Sequence, residues 1–284
     1  MRNQSEKVSV FGATGFIGRR YCKTFPNSVI KIPRESNTAA SSKVLYFIST
    51  TTNYNIFDNP FLDIETNLIK LISVLEENKN KPNLEFNFIS SWFVYGKQEK
   101  LPAKETSPCN PRGFYSITKR AAEQLLVSYC ETYKINYRIL RLCNVIGETD
   151  SSASPKKNAL QHMIGRLKTN EPVYLYDDGS HIRDYMYVDD VCHALSLCIK
   201  KSSINKIVNI GSGNPVTIKE LIGYCKDYLG SQSVITSIAP PRFHEIVQTK
   251  DMFLDITELN RIGFEEKFVS SKGLKIIMEN LNEE

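Results

Sequence analysis

Val8-Ser-Val-Phe-Gly-Ala-Thr-Gly-Phe-Ile-Gly18 decides the fold. Val8 to Phe11 is a short, uninterrupted apolar run, the pattern of a buried strand. Gly12, Gly15 and Gly18 follow at GxxGxxG spacing, and a helix is predicted from about Phe16 to Thr24. A glycine-rich turn between strand and helix brings bare backbone to the positive end of a helix, where a dinucleotide pyrophosphate can sit. Such turns also occur without any ligand, so this stretch alone leaves a plain structural turn open.

The alternation continues outward from there. Val29 to Ile32, Val44 to Ser49, Leu84 to Ile89 and Tyr137 to Leu142 read as strands. Residues 61–77 carry Phe61, Ile64, Leu68, Leu71, Ile72 and Leu75 at the spacing of a helix with one apolar face. Residues 115–133 place Ala121, Ala122, Leu125, Leu126 and Tyr129 on one side of a second long helix. Strands alternating with helices predict the α/β class: a doubly wound, Rossmann-like parallel sheet with helices on both faces. Beyond Asn144 the pattern loosens, with a polar, loop-like stretch at 148–158. A helix (about 159–169), a strand (Val173 to Tyr176), a turn at Asp178-Gly179, a helix (188–200) and a strand (Ile207 to Ile210) follow. Thr217-x-x-Glu220 is a capping box that opens another helix. The expected organisation is a sheet domain over 1–145, rejoined by 184–223, with a smaller C-terminal lobe from 146–183 and 224–284.

Composition bounds the function. The 284 residues, 41% hydrophobic and 24% charged, have the balance of a soluble globular protein with a core large enough to need neither disulfide nor metal. No run of 18 apolar residues exists, and the polar N-terminus lacks the apolar stretch of a secretion signal, so a cytoplasmic protein without membrane contact is expected. The net charge of +5 is scattered, with no basic stripe for nucleic acid. Seven cysteines, an odd number without a CxxC pair, read as reduced and mostly buried.

Two further stretches carry chemistry. In Tyr115-Ser-Ile-Thr-Lys119, positions i and i+4 share a helix face. A phenol that titrates near 10 needs help to move protons near pH 7, and a neighbouring ammonium favours its phenolate. The alternative is a packed core tyrosine. Ser90-Ser91-Trp-Phe-Val-Tyr-Gly96 ends a strand 24 residues before Tyr115, where a serine can hydrogen-bond a reacting oxygen, or simply make a strand-end turn. About 20 positions beyond the first glycine comes Ile32-Pro33-Arg34-Glu35-Ser36. Arg34 could pair with the 2′-phosphate of NADP and Glu35 with the 2′-hydroxyl of NAD, or both are solvated loop charges.

In this order the three stretches resemble the short-chain dehydrogenase/reductase superfamily, and more closely its extended branch of nucleotide-sugar epimerases, dehydratases and reductases. Arg141-Leu-Cys-Asn144 looks like that branch's R-x-x-N. The segment from Gly179 through Arg183-Asp184 to Asp189-Asp190 looks like its G-x-x-x-RD-x-x-YV-D-D. Asn209-Ile-Gly-Ser-Gly213 and Pro241-Arg242 with Glu245 resemble its later motifs. The likeness runs from residue 8 to about 265. It implies Tyr115 as catalytic acid/base, Lys119 lowering its pKa and holding the nicotinamide ribose, and Ser91 orienting the substrate. It also implies Gly12, Thr14, Gly15, Phe16, Ile17 and Gly18 around the pyrophosphate and Ser49 and Thr50 flanking the cofactor. Asn144 and Arg183 would bind the diphosphate of the sugar nucleotide, and Arg242 with Glu245 its nucleoside end; a structural Arg183–Asp184 pair is the alternative. No metal site is implied. A homodimer through residues 61–77 and 115–133 is implied, the second helix turning Leu126 and Tyr129 outward.

Departures narrow the reaction. Trp92 and Phe93 stand where the family's dehydratases and decarboxylases carry acidic residues, which disfavours both activities. Phe47-Ile-Ser-Thr-Thr51 replaces the usual H-x-A-A, and Val145 replaces a usual proline. Only about ten residues separate Ile32 from Val44, so the sheet should be one strand smaller than usual. The expected function is hydride transfer at C4 of a nucleotide-diphosphate sugar. A 4-keto reductase using NADP is favoured because of Arg34, with an NAD-dependent 4-epimerase as the alternative. A non-catalytic NAD(P)-binding sensor is disfavoured because Tyr115 and Lys119 are both present.

Overall fold

The computed structural model describes residues 7–147, 158–268 and 270–280. The chain opens β1 (Val8–Phe11), α1 (Phe16–Thr24), β2 (Val29–Lys31) and β3 (Lys43–Tyr46). Two short turns of helix, α2 (Asn55–Asp58) and α3 (Phe61–Ile64), run into a π turn (Glu65–Ile69) and α4 (Lys70–Asn78). β4 (Glu85–Ser91), α5 (Phe114–Tyr133), β5 (Asn136–Leu142) and β6 (Asn144–Ile146) follow. Next come α6 (Ala159–Lys168), β7 (Val173–Tyr176), β8 (Ile182–Arg183), β9 (Tyr185–Tyr187), α7 (Val188–Lys201) and β10 (Lys206–Ile210). β11 (Val216–Thr217), α8 (Ile218–Leu229), β12 (Ile235–Ile238), α9 (Arg242–Val247), α10 (Thr257–Arg261) and α11 (Ser270–Asn280) complete it.

Six parallel strands form the main sheet in the order β10-β5-β4-β3-β1-β2. Only β2 lies beyond β1, because residues 32–42 reach β3 without a helix or strand of their own. Side chains alternate between the two faces with period two. Val10, Leu45, Ile89 and Leu140 pack on the face covered by α1 and α7, in a core that continues into the C-terminal part through α6 and α8. Phe11, Tyr46, Phe86, Phe88 and Ile139 pack on the face covered by α4 and α5. Each such buried large apolar side chain contributes about 1.5–3 kcal/mol. The loop expected at 148–158 lies, except for Asn158, outside the described residues. The seven cysteines are free, and only Cys109 is not buried.

Two faces differ from expectation. Residues 61–77 are not one helix: the π turn inserts extra residues and rotates the buried face. Leu71 and Leu75 are buried, whereas Phe61 and Ile64 are exposed, and the polar Asp63 and Asn67 face inward instead. On α5 the buried stripe is Tyr115, Lys119, Ala122, Glu123, Leu126 and Cys130. Leu126 is therefore core, and Leu125 is exposed.

Candidate active site

The carboxyl ends of β1, β3, β4 and β5 open on one cleft of about 1100 Å3, flanked by β7, β8 and α9. That volume exceeds the usual range for a single small ligand. A larger but more open groove of about 1410 Å3 on the far side of α5, along β10 and α10, holds none of the motif residues from the glycine turn, the Tyr-x-x-x-Lys pair or the Arg183 segment.

The glycine turn shapes one end of the cleft. Gly12 has φ +77°, and a Cβ there would stand 3.1 Å from Phe47 Cβ and Ile48 N. A Cβ on Gly18 would stand 2.2 Å from the Gly12 carbonyl oxygen. The first turn of α1 holds no acidic residue, so its free N–H groups face the cleft without a competing carboxylate. This cradle fits a dinucleotide pyrophosphate. Gly12, Gly15, Phe16, Ile17 and Gly18 line the cleft, and Thr14, which is exposed, does not. Arg34 is exposed beyond β2, away from the cleft lining, with Lys70 Nζ 3.4 Å from its carbonyl oxygen.

Helix α5 is held at its start both by its own Ser116 Oγ, which accepts from Gly113 N (3.0 Å), and from outside. Its N-cap, Gly113, has no side chain, and the Ser116 amide donates to Asn53 Oδ1 at 3.3 Å. A Cβ on Gly113 would fall 2.1 Å from that oxygen. Two residues on, Tyr115 is buried, and burial pushes its phenol up to about 12. Hydrogen bonds with Ser91 and Ser49 pull it down, and the Asp63 carboxylate pushes it further up. The lowering influence is thus the two hydroxyls, not Lys119. Lys119 is itself buried, its pKa brought down to about 7 by desolvation, with Glu123 opposing. Its Nζ lies 4.1 Å over the Phe88 ring. An amine held near neutrality carries only part of a charge with which to stabilise a phenolate.

Behind these groups, Asn67 knits the strand-end segment together. Its Oδ1 accepts from Ser49 Oγ (2.9 Å) and Thr50 N (3.0 Å), and its Nδ2 donates to Thr50 Oγ1 (2.8 Å) and Thr118 Oγ1 (3.0 Å). Thr50 Oγ1 in turn donates to the fully buried Asp63. Beneath Lys119, Glu123 accepts two bonds from Arg141 (2.9 and 2.7 Å), one from Ser90 (2.6 Å) and one from Arg120 (2.8 Å). Burial would raise the Glu123 carboxyl, but these donors hold it below the usual range.

Arg183 is buried in the cleft wall. It donates to the carbonyls of Ile182 (2.8 Å), Thr249 (2.8 Å) and Lys250. It does not pair with Asp184, whose carboxylate accepts from Ser212 N and Oγ, Gly213 N and Leu254 N. No carboxylate forms an ion pair with Arg183 among the described residues, and three of its five N–H donors are used. Asn144 is pinned at both ends of its amide, donating to Asp184 O (3.0 Å) and accepting from Trp92 Nε1 (3.3 Å). Glu245 reaches the cleft, whereas Arg242 is exposed outside it. Asp63 and Asn67 escaped sequence reasoning because the π turn that aims them inward has no local signal, and Asn53 because it lies in an irregular turn before α2. No group of three or more potential metal ligands occurs among the described residues, and none of their helices is long and apolar enough to cross a membrane.

A doubly wound parallel sheet with a glycine cradle, a buried Tyr–Lys pair and a buried arginine in one cleft defines a dinucleotide-binding enzyme of the short-chain dehydrogenase/reductase type. Residues 44–211 match the NAD dependent epimerase/dehydratase family. The chain belongs to that family and is an NAD(P)-dependent enzyme of it. It is 30% identical over 227 residues, 79% of its length and 72% of the other's, to a protein from Methanocaldococcus jannaschii described as a putative UDP-glucose 4-epimerase. Its fold matches the UDP-glucose 4-epimerase of Thermotoga maritima, solved with UDP-glucose, at TM-score 0.87 and 24% identity over 98% and 99% of the two chains. It matches RMD from Pseudomonas aeruginosa, solved with NADPH, at TM-score 0.86 and 20% identity over 98% and 99%. At these identities the solved structures speak for the fold.

Proposed function

We propose that the chain transfers hydride at C4 of a nucleotide-diphosphate sugar, with residues 1–145 and 184–223 holding the dinucleotide and 146–183 and 224–284 the sugar nucleotide. The observation that carries this is Arg183: a buried cation in the cleft that holds Tyr115, bonded to backbone carbonyls and ion-paired with no carboxylate among the described residues, suits an anion such as a diphosphate. A nicotinamide dinucleotide bound along Gly12–Gly18 supplies or accepts the hydride. Tyr115, kept protonated by burial, gives its proton to the C4 oxygen, and Ser91 holds that oxygen by a second hydrogen bond. Ser49 steadies the phenol, Lys119 holds the nicotinamide ribose, and Asn144 and Arg183 anchor the diphosphate. Glu245 at the cleft rim meets the nucleoside, with Arg242 beside it on α9.

Reduction of a 4-keto sugar with NADPH is the favoured direction. A phenol held well above neutrality is a proton donor, and Arg34, exposed just beyond β2 though outside the cleft lining, is the cation offered to a 2′-phosphate. The relative described as a putative UDP-glucose 4-epimerase favours the second reading, NAD-dependent 4-epimerisation. The exposed Ile69 and Ile117, Leu125 and Tyr133 on the α4–α5 surface support a homodimer through these helices. The test is purified protein mixed with NADPH and a UDP- or dTDP-4-keto-6-deoxy sugar. Loss of reduced-nicotinamide absorbance is expected, and Tyr115→Phe should abolish it by about 100-fold or more while leaving dinucleotide binding intact. No loss of absorbance, with UDP-hexose epimerisation instead, reverses the order of the two readings.

A further inference from the structure

Trp92 and Phe93 leave β4 in a single 3-10 turn and line the cleft. Their rings stack with centroids 3.9 Å apart and planes at 23°. Phe93 meets the Tyr115 ring edge-on, with centroids 6.1 Å apart and planes at 79°. At the other end, the Arg183 guanidinium stands 5.5 Å over the Trp92 ring. The aromatic rings therefore form a wall that runs in contact from the phenol assigned to the C4 oxygen to the arginine assigned to the diphosphate, with the half-buried Phe93 presenting more of the surface than the buried Trp92. The wall's one polar hydrogen, on Trp92 Nε1, is already given to Asn144 Oδ1. Nothing on its surface can bond a sugar hydroxyl.

In a hexose, two ring edges join carbon 4 to the phosphate-bearing carbon 1. One carries hydroxyls at carbons 2 and 3. The other carries only the ring oxygen and carbon 6. An apolar wall suits the second edge, and the one hydroxyl found there is on carbon 6. A hydroxyl pressed on this wall loses its water without a replacement partner, whereas a methyl group gains contact with the rings.

We infer that the Trp92–Phe93 wall selects a 6-deoxy sugar, accepting a methyl group at carbon 6 and discriminating against a hydroxymethyl. This rests on the nucleotide-sugar reading above. An apolar surface rejects an added hydroxyl by about 10- to 100-fold. Trp92 is the chain's only tryptophan, so its emission reports on the wall directly.

The test titrates the full chain with UDP-glucose and UDP-6-deoxyglucose, and with the thymidine pair, by calorimetry and Trp92 fluorescence. The 6-deoxy member of the better-bound pair should bind about 10- to 100-fold more tightly. In Phe93→Ser the preference should fall to within about threefold of unity, while affinity for the free nucleoside diphosphate stays unchanged. Equal affinities in the wild type overturn the inference, whether or not the variant folds, and so does a preference that Phe93→Ser leaves intact. If neither nucleoside diphosphates nor their sugars bind at all, the nucleotide-sugar reading fails first, a result distinct from tight but indiscriminate binding.

Discussion

Replacing Lys119 with methionine should stabilise the protein while ending its turnover. Lys119 is 2% exposed, and desolvation brings its amine from 10.5 to about 7. That difference corresponds to about 5 kcal/mol against folding when the amine is fully protonated. The Phe88 face under Nζ favours the charged form, by about 1–2 kcal/mol for a desolvated pair. Burial therefore wins, and about 3–4 kcal/mol remains. The folded-state pKa lies below the unfolded one, so the unfolded chain binds more protons between pH 7 and 10.5. The wild type should gain stability across that window and carry the full penalty below it. Methionine is of similar length and cannot titrate, and such an apolar replacement should pack within about 1.5 kcal/mol. Lys119→Met should thus be more stable by about 3–4 kcal/mol near pH 6, with the advantage fading as pH approaches about 10.5. Urea unfolding of both proteins, followed by Trp92 emission and circular dichroism at a series of pH values, measures the difference. Cysteines and tyrosines that titrate in the same range are common to both and cancel. A difference that stays flat with pH to within about 1 kcal/mol would refute the claim that this amine is held near neutrality by burial.

Three further outcomes are expected. Glu123→Gln leaves the buried Arg141 guanidinium without its carboxylate and should lower stability by about 3–5 kcal/mol in urea unfolding. Because the Glu123 carboxyl is held low, the wild-type advantage should be present at neutral pH and shrink as pH falls through the acidic range. Gly113→Ala forces Asn53 or the start of α5 to move; a loss of about 1–3 kcal/mol in melting experiments, with a reduced kcat, is expected, and an unchanged kcat would contradict the role given to this contact. Arg183→Met should weaken nucleotide-sugar binding by at least about 30-fold in calorimetry and leave dinucleotide binding as it was; equal losses for both ligands would remove Arg183 from the diphosphate site.

The start of the parallel sheet was legible because its signals are local. The strand Val8–Phe11, its glycines and helix α1 lie within seventeen consecutive residues and stand where the pattern put them. The strand Val173–Tyr176 and the Thr217 capping box were equally plain, since period and capping chemistry are properties of short segments. The helix over 61–77 was misread where local pattern and three-dimensional packing part company. Apolar spacing assumed one uniform helix, and a π turn changed which residues look inward. The same change hid Asp63 and Asn67, and the outward-facing Leu125 of α5 was likewise settled by packing rather than by period.

By itself, then, the amino-acid order determined the alternating α/β architecture, the direct run from β2 to β3, and which side chains were candidates for proton and phosphate chemistry. Those follow from periodicity, glycine stereochemistry and side-chain type, none of which needs a distant partner. Folding in three dimensions decided which of those groups meet and in what electrical state. It took the Asp184 carboxylate away from Arg183, gave the lowering of the Tyr115 phenol to Ser91 and Ser49, and brought the Lys119 amine toward neutrality. Such outcomes depend on how completely water is excluded around each group by residues far away in the chain, which no local pattern encodes.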